Sequence, residues 1–325
     1  MTPDTGRAPD VSVAQDPSVL PVPVEPQAGN TPARSAGTQP LPVVLLHGLL
    51  STPREFGLIS LPLQSRGVEL IIPHIKGYTE GDRTRFTRWQ EWVDAASEAI
   101  HEQVGVDRPF VLGGLCTGGV VAAAVALRGE FNVQSLVMMS PSFGYDGWAR
   151  DRWWGWRKLG FLLGVDRWIS IRERAPYGIK NEKIRRWVER DMEQRASSAA
   201  GPSALPLWGI NQSERLMRDV VKRLPGLHTP TVIMTSLEDE ICTVGTVRRV
   251  FDTLPGDSNR LVVLENSYHM ITIDNDRQQV TAELLKCAGK IEHSASEGIE
   301  DASGAPSKSP IGAFTAPDAQ TGKLA

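Results

Sequence analysis

Cys116 lies between an apolar run, Phe110 to Leu112, and an Ala/Val-rich run that follows Thr117, with Gly114 and Gly118 on either side. This G-x-C-x-G spacing suits a nucleophile on a tight strand-to-helix turn, where only small neighbours let the chain pass so closely. A helix starting at about Thr117 would point its N-terminal dipole and free amides at Cys116. That field favours the thiolate and leaves the Thr117 N–H to bind an oxyanion. A thiolate so placed attacks a carbonyl and forms a thioester acyl-enzyme. Thioesters react with water, alcohols, amines and thiols, so the chemistry spans ester hydrolysis, acyl transfer, lactone opening and thioester cleavage.

A nucleophile on such a turn needs a sheet beneath it and a helix behind it. Short apolar runs bounded by Gly and Pro predict strands at Val43 to Leu46, Glu69 to Ile72, Phe110 to Leu112, Ser135 to Met139, Thr231 to Thr235 and Arg260 to Leu264. Several are apolar at consecutive positions, as strands covered on both faces should be. Helix-compatible stretches intervene at Trp89 to Val104, Gly118 to Leu127, Glu214 to Leu224 and Gly245 to Leu254. The alternation predicts an α/β fold with a mostly parallel, doubly wound sheet, whose ligand sits beyond the carboxyl ends of the strands.

Composition narrows the setting. The chain has 325 residues, 41% of them hydrophobic, and a formal charge of −3, so nothing calls for nucleic acid. The longest apolar run, Val120 to Leu127, is far shorter than the ~18 residues that span a bilayer. The N-terminus lacks a charged-then-apolar signal pattern, which makes a cytoplasmic location the expectation. Cys116, Cys242 and Cys287 are odd in number and widely spaced, so neither a disulfide framework nor a zinc site is indicated. Cys242 and Cys287 read as small hydrophobic side chains. Met1 to Pro40 and Glu292 to Ala325 are rich in small and polar residues without apolar periodicity and are expected to be unfolded. The folded domain is therefore expected over 41–291.

Four segments in chain order carry a family resemblance: LLHGLLSTPREF (Leu45 to Phe56), GLCTGG (Gly114 to Gly119), TPTVIMTSLEDE (Thr229 to Glu240) and ENSYHMITID (Glu265 to Asp274). Together they resemble the α/β-hydrolase superfamily, and within it the bacterial carboxylesterases and monoacylglycerol lipases. The resemblance implies an α/β-hydrolase fold with a helical cap inserted at about 141–213. It also implies a triad of Cys116, His269 as general base and Asp239 as the acid that receives the His269 Nδ1–H, with Glu238 or Glu240 as substitutes for the acid. By the same resemblance the Leu49 N–H, after His47-Gly48, joins the Thr117 N–H in the oxyanion hole, and His47 holds that loop. Cysteine at the elbow is similar to polyhydroxyalkanoate synthases and dienelactone hydrolases, although the acid and histidine segments match the esterases better. The family usually has glycine before the histidine; here it is Tyr268, which becomes a candidate for lining the pocket or positioning an acyl acceptor.

The expected cap is rich in tryptophan and cations: Trp148, Trp153, Trp154, Trp156, Trp168 and Trp187, with Arg150, Arg152, Arg157, Lys158, Arg167, Arg172, Arg174, Lys180, Lys183, Arg185 and Arg186. One reading is an amphipathic cap whose aromatic side packs on the core. The other is an apolar tunnel, with Trp148, Trp153, Trp154 and Trp156 as pocket candidates, and a cationic mouth suited to coenzyme A, an acidic carrier protein or a lipid surface. The function expected is hydrolysis of an ester or thioester with an apolar acyl group, without metal or organic cofactor. Acyl transfer to a non-water acceptor is the alternative enzyme reading, and a non-catalytic binding protein the alternative class.

Overall fold

In the computed structural model, residues 40–81, 87–148, 157–194 and 197–289 are described. The two terminal segments expected to be unfolded, apart from Pro40, lie outside them, as do Arg150, Arg152, Trp153, Trp154 and Trp156.

Six parallel strands form one sheet. They are β1 (Val43–Leu46), β2 (Leu70–Ile71), β3 (Phe110–Leu115), β4 (Val133–Met139), β9 (Thr231–Ser236) and β10 (Arg260–Leu264), ordered β10-β9-β4-β3-β1-β2. The run Val-Val-Leu-Leu of β1 shows why the sequence looked uninterrupted. Val44 and Leu46 face one apolar core while Val43 and Leu45 face the other, and all four are fully buried. On the first face lie α2 (Trp89–Gln103), α3 (Thr117–Ala126), α6 (Leu207–Arg223) and α7 (Val244–Phe251). On the second lie α1 (Gly57–Ser65) and α8 (Arg277–Cys287). This is the doubly wound α/β arrangement, and the sheet and its flanking helices are those of an α/β-hydrolase.

The chain leaves β1 toward β2, then crosses to β3 on the other side of β1 and continues outward through β4, β9 and β10. The winding therefore reverses between β1 and β3. At such a point the turns beyond neighbouring strand ends diverge and leave a crevice. His47-Gly48 follows β1, and Cys116 follows β3.

Several boundaries differ from the sequence expectation. The strand expected over Phe110 to Leu112 runs on to Leu115. Gly113 and Gly114 extend it because the sheet there is crowded: a Cβ on Gly113 would lie 2.9 Å from Leu45 Cδ2 and 3.0 Å from the Val137 carbonyl. The helix expected over Glu214 to Leu224 begins earlier, at Leu207. Pro206 precedes its first turn, and Gly209 makes room for Leu50, whose Cδ1 a Cβ would approach to 2.8 Å. α1, with Pro62 inside it, and α8 were not anticipated.

Between β4 and α6 the chain forms α4 (Arg157–Leu162), β5 (Ser170–Arg172), α5 (Glu182–Gln194) and the short strands β6 (Ser197–Ser198), β7 (Gly201–Pro202) and β8 (Ala204–Pro206). β5 pairs with β8, and β6 with β7, both antiparallel. Ile179, Val188 and Ala199 from this segment enter the second core.

Candidate active site

Cys116 sits between β3 and α3 with φ 56° and ψ −125°, a left-handed conformation that an L side chain adopts only when its surroundings hold it. The flanking glycines are what hold it. A Cβ on Gly114 would lie 2.4 Å from the Gly118 carbonyl, and one on Gly118 would lie 2.2 Å from the carbonyl oxygens of Leu46 and His47. Sterics alone thus require glycine at both places. Every residue of α3 from Thr117 to Val125 is buried, so the helix behind the turn is fixed in the core.

His269 and Asp239 meet beside this turn. The His269 Nδ1–H donates to Asp239, at 2.8 Å from Oδ2 and 3.0 Å from Oδ1. Asp239 is oriented in turn by the amides of Ile241 and Cys242, which donate to its Oδ1 at 2.8 and 3.0 Å. The His269 backbone amide donates to Glu240 Oε2 at 3.1 Å. His269 Nε2 makes no hydrogen bond of ordinary geometry, yet the ring and Cys116 shift each other's proton affinity. Burial by itself pushes the His269 ring down, but Asp239 and Cys116 outweigh it and hold the ring well above its ordinary value. Burial likewise raises the Cys116 thiol, but the His269 ring and the Ser142 hydroxyl bring it below the usual thiol value.

The Leu49 and Thr117 amides lie on the turns after β1 and at the start of α3, and among the described residues neither donates to a backbone acceptor. Gly48 to Ser51 close a turn through the Ser51 N–H to Gly48 carbonyl bond of 3.3 Å, with Leu50 at φ 50°. His47 is buried and stacked on Tyr78, ring centroids 5.1 Å apart. Its Nε2 is 2.8 Å from Thr79 Oγ1, and burial pushes the ring down to about 4, so it is neutral and braces the turn.

Tyr268 and Trp148 pack edge to face, centroids 5.5 Å apart, with Lys180 over the Tyr268 ring at 5.9 Å. Trp148 donates to the Glu238 carbonyl and is 58% exposed, so this pair sits at the surface beside the His269–Asp239 pair. Glu238 pairs with Lys180 at 2.6 Å, which leaves Asp239 as the acid on His269.

Sequence reasoning missed Ser142 and Glu55, and named Glu240 only as a substitute acid. Ser142, on the loop after β4, puts its Oγ 3.1 Å from Cys116 Sγ. Glu240 braces the His269 backbone, and burial raises its carboxyl to about 7. Glu55 accepts from the Gly48 amide at 2.6 Å. Ser142 was discoverable as a polar residue just past a strand's carboxyl end. Glu55 was masked by its context, because Thr52-x-x-Glu55 is the spacing of a helix capping box. Its side chain goes instead to Gly48.

The family described as serine aminopeptidase, S33 matches residues 41–276. A thermostable monoacylglycerol lipase of Bacillus sp. (strain H-257) is 22% identical over 257 residues, 77% of this chain and 91% of that one. The crystal structure of Paleococcus ferrophilus monoacylglycerol lipase superposes with a TM-score of 0.61 at 17% identity, covering 77% of this chain and 94% of that one. A soluble variant of the monoglyceride lipase from Saccharomyces cerevisiae, solved with a substrate analog, gives a TM-score of 0.65 at 14% identity over 80% and 89% of the two chains.

Proposed function

The chain belongs to the serine aminopeptidase S33 family of α/β-hydrolases, and from that premise we propose that Cys116, His269 and Asp239 hydrolyse a carboxylic ester through a thioester acyl-enzyme. The enzyme is of the esterase type, and the lipase relatives support a small ester with an apolar acyl group as its substrate. The observation that carries the reading is the buried His269–Asp239 pair beside a cysteine held on a strained, glycine-flanked elbow.

The family's name specifies serine, and cysteine here changes the first step. The pair rests as thiolate and imidazolium, so no proton has to leave the nucleophile during attack. Sγ bonds to the carbonyl carbon, and the oxyanion is received by the Leu49 and Thr117 amides, which together contribute several kcal/mol, roughly 3 each. The intermediate collapses as His269 Nε2–H gives its proton to the leaving alkoxide, and the alcohol departs. Water then enters, His269 takes its proton, hydroxide adds to the thioester carbonyl, and the Cys116 thiolate leaves with release of the acid. Asp239 holds the Nδ1 proton throughout.

The cap carries an exposed apolar strip, Leu159, Leu162, Leu163, Trp168, Ile169 and Ile171, with Leu162 82% and Trp168 79% exposed. Exposed Arg172 and Arg174 adjoin it. Apolar and aromatic groups rimmed by arginine suit a lipid surface, where an apolar ester would reside, better than a soluble acyl carrier.

The test is intact-mass analysis after acid quench with a panel of activated acyl esters and acyl-CoA thioesters, using Cys116→Ala as control. An adduct on the wild type alone that decays in buffer is expected. An adduct that persists until alcohol or amine is added makes the enzyme an acyltransferase, the reading that thioester reactivity favours next. No adduct across the panel overturns the triad.

A further inference from the structure

Glu55 is buried, 3% exposed, in the 3-10 turn Pro53–Phe56. Its Oε2 accepts from the Gly48 amide at 2.6 Å. A Cβ on Gly48 would lie 3.1 Å from Glu55 Oε1 and 3.5 Å from Cys116 Cβ, so one glycine separates the carboxyl from the candidate nucleophile. From the other side, a Cβ on Gly201 of β7 would come within 3.4 Å of Oε1. The carboxyl is thus boxed between the oxyanion turn and the cap.

The titratable groups that act on it from the packed elements are His269, Cys116 and Tyr78. The neighbouring Ser51 hydroxyl also stabilises its charged form. Arg54, next in the chain, reaches away to Asp191 at 2.7 Å. Among the described residues, the cation that acts on it is His269, which Asp239 already holds. A carboxylate buried among such groups is costly, and burial pushes the Glu55 carboxyl up to about 7.

We propose that Glu55 is a positioning residue which, as a neutral acid, pins the Gly48–Leu49 turn against Cys116, and whose negative charge, once formed, opposes both thiolate and oxyanion. This rests on the reading of Cys116 as the nucleophile. The Gly48 bond fixes the His47–Gly48 peptide, the unit immediately before the one that carries the Leu49 N–H. Ionised Glu55 also raises the Cys116 thiol, the direction that weakens attack. The carboxyl is neutral below about 7 and charged above it, so the site is at its best on the acid side and declines as pH rises through that value.

Glu55→Gln keeps an acceptor for the Gly48 amide and cannot ionise, whereas Glu55→Ala removes the acceptor. Two readouts are needed, with circular dichroism to verify folding. The first is Cys116 alkylation by iodoacetamide against pH, followed by intact mass with Cys116→Ala as background. The second is kcat and KM on a p-nitrophenyl ester against pH. Above about pH 7, where the wild-type carboxyl is charged, Glu55→Gln should speed alkylation by up to tenfold for each unit by which the thiol falls, until the thiolate is fully formed, and move the alkaline decline of kcat upward. Glu55→Ala should lower kcat tenfold or more with little change in KM, and Gln in the same place should restore it. Superposable alkylation and kcat profiles for wild type and Glu55→Gln, or equal kcat for Ala and Gln, overturn the proposal. If alkylation shifts as expected while the wild type turns over no ester, the ester-hydrolase reading falls and the control of Cys116 by Glu55 stands.

Discussion

Three carboxyls near His269 differ in what their surroundings ask of them. Asp239 faces the ring and two amides, Glu55 accepts from the Gly48 amide, and Glu240 accepts from the His269 amide. Burial raises Glu240 from 4.5 to about 7; the nearby Asp239 charge adds to this, against the opposing effect of His269. The sign for stability follows from where the proton sits. A raised folded value means that the native state holds the proton more tightly, so this stabilisation is present at low pH and lost as pH rises from about 4.5 to about 7. The loss is roughly 3 kcal/mol at most. The melting temperature of Glu240→Gln should fall less than that of the wild type between mildly acidic and mildly alkaline buffer, and should exceed it on the alkaline side. Parallel melting curves would refute this assignment.

At the scale of elements, the loop bearing His269 is held by the segment that leads into α5. Asp274 is fully buried, and its carboxylate collects the amides of Lys180 at 2.7 Å and of Asn181, Tyr268 and Asn275 at 2.9 Å each. The Met270 amide donates to the Gly178 carbonyl at 2.8 Å, and a Cβ on Gly178 would lie 2.7 Å from Met270 Cγ. The segment that leads into α5 and the loop bearing His269 are therefore tied together over this stretch. Asp274→Ala strips four part-buried amides of their acceptor and should cost about 3 kcal/mol in urea unfolding. Its kcat should fall as well, because His269 loses the support of its loop. A loss under about 1 kcal/mol would show that water replaces the carboxylate at little cost.

For the molecule as a whole, a sheet whose winding reverses between β1 and β3 carries, between β4 and α6, a segment whose apolar side chains Leu162 and Trp168 are exposed. No helix among the described residues is long and apolar enough to cross a membrane. Cosedimentation with anionic phosphatidylcholine–phosphatidylglycerol vesicles should be lost in a Leu162→Ser, Trp168→Ser double variant whose activity on a water-soluble ester persists; equal binding by wild type and variant would sink the lipid-surface reading. The sequence by itself determined the alternation of β1, β3, β4, β9 and β10 with α2, α3 and α7, and the glycine-flanked turn at Cys116, because apolar period and turn sterics are local properties. It also carried the order of Cys116, Asp239 and His269, through motifs each contained in a few residues. Only the tertiary structure decided that Glu55, Ser142, Glu240 and Asp274 converge on these groups. Their contacts depend on how strands and turns distant in the chain are brought to one sheet edge, and their proton affinities on burial, which no residue acquires until the fold removes it from water.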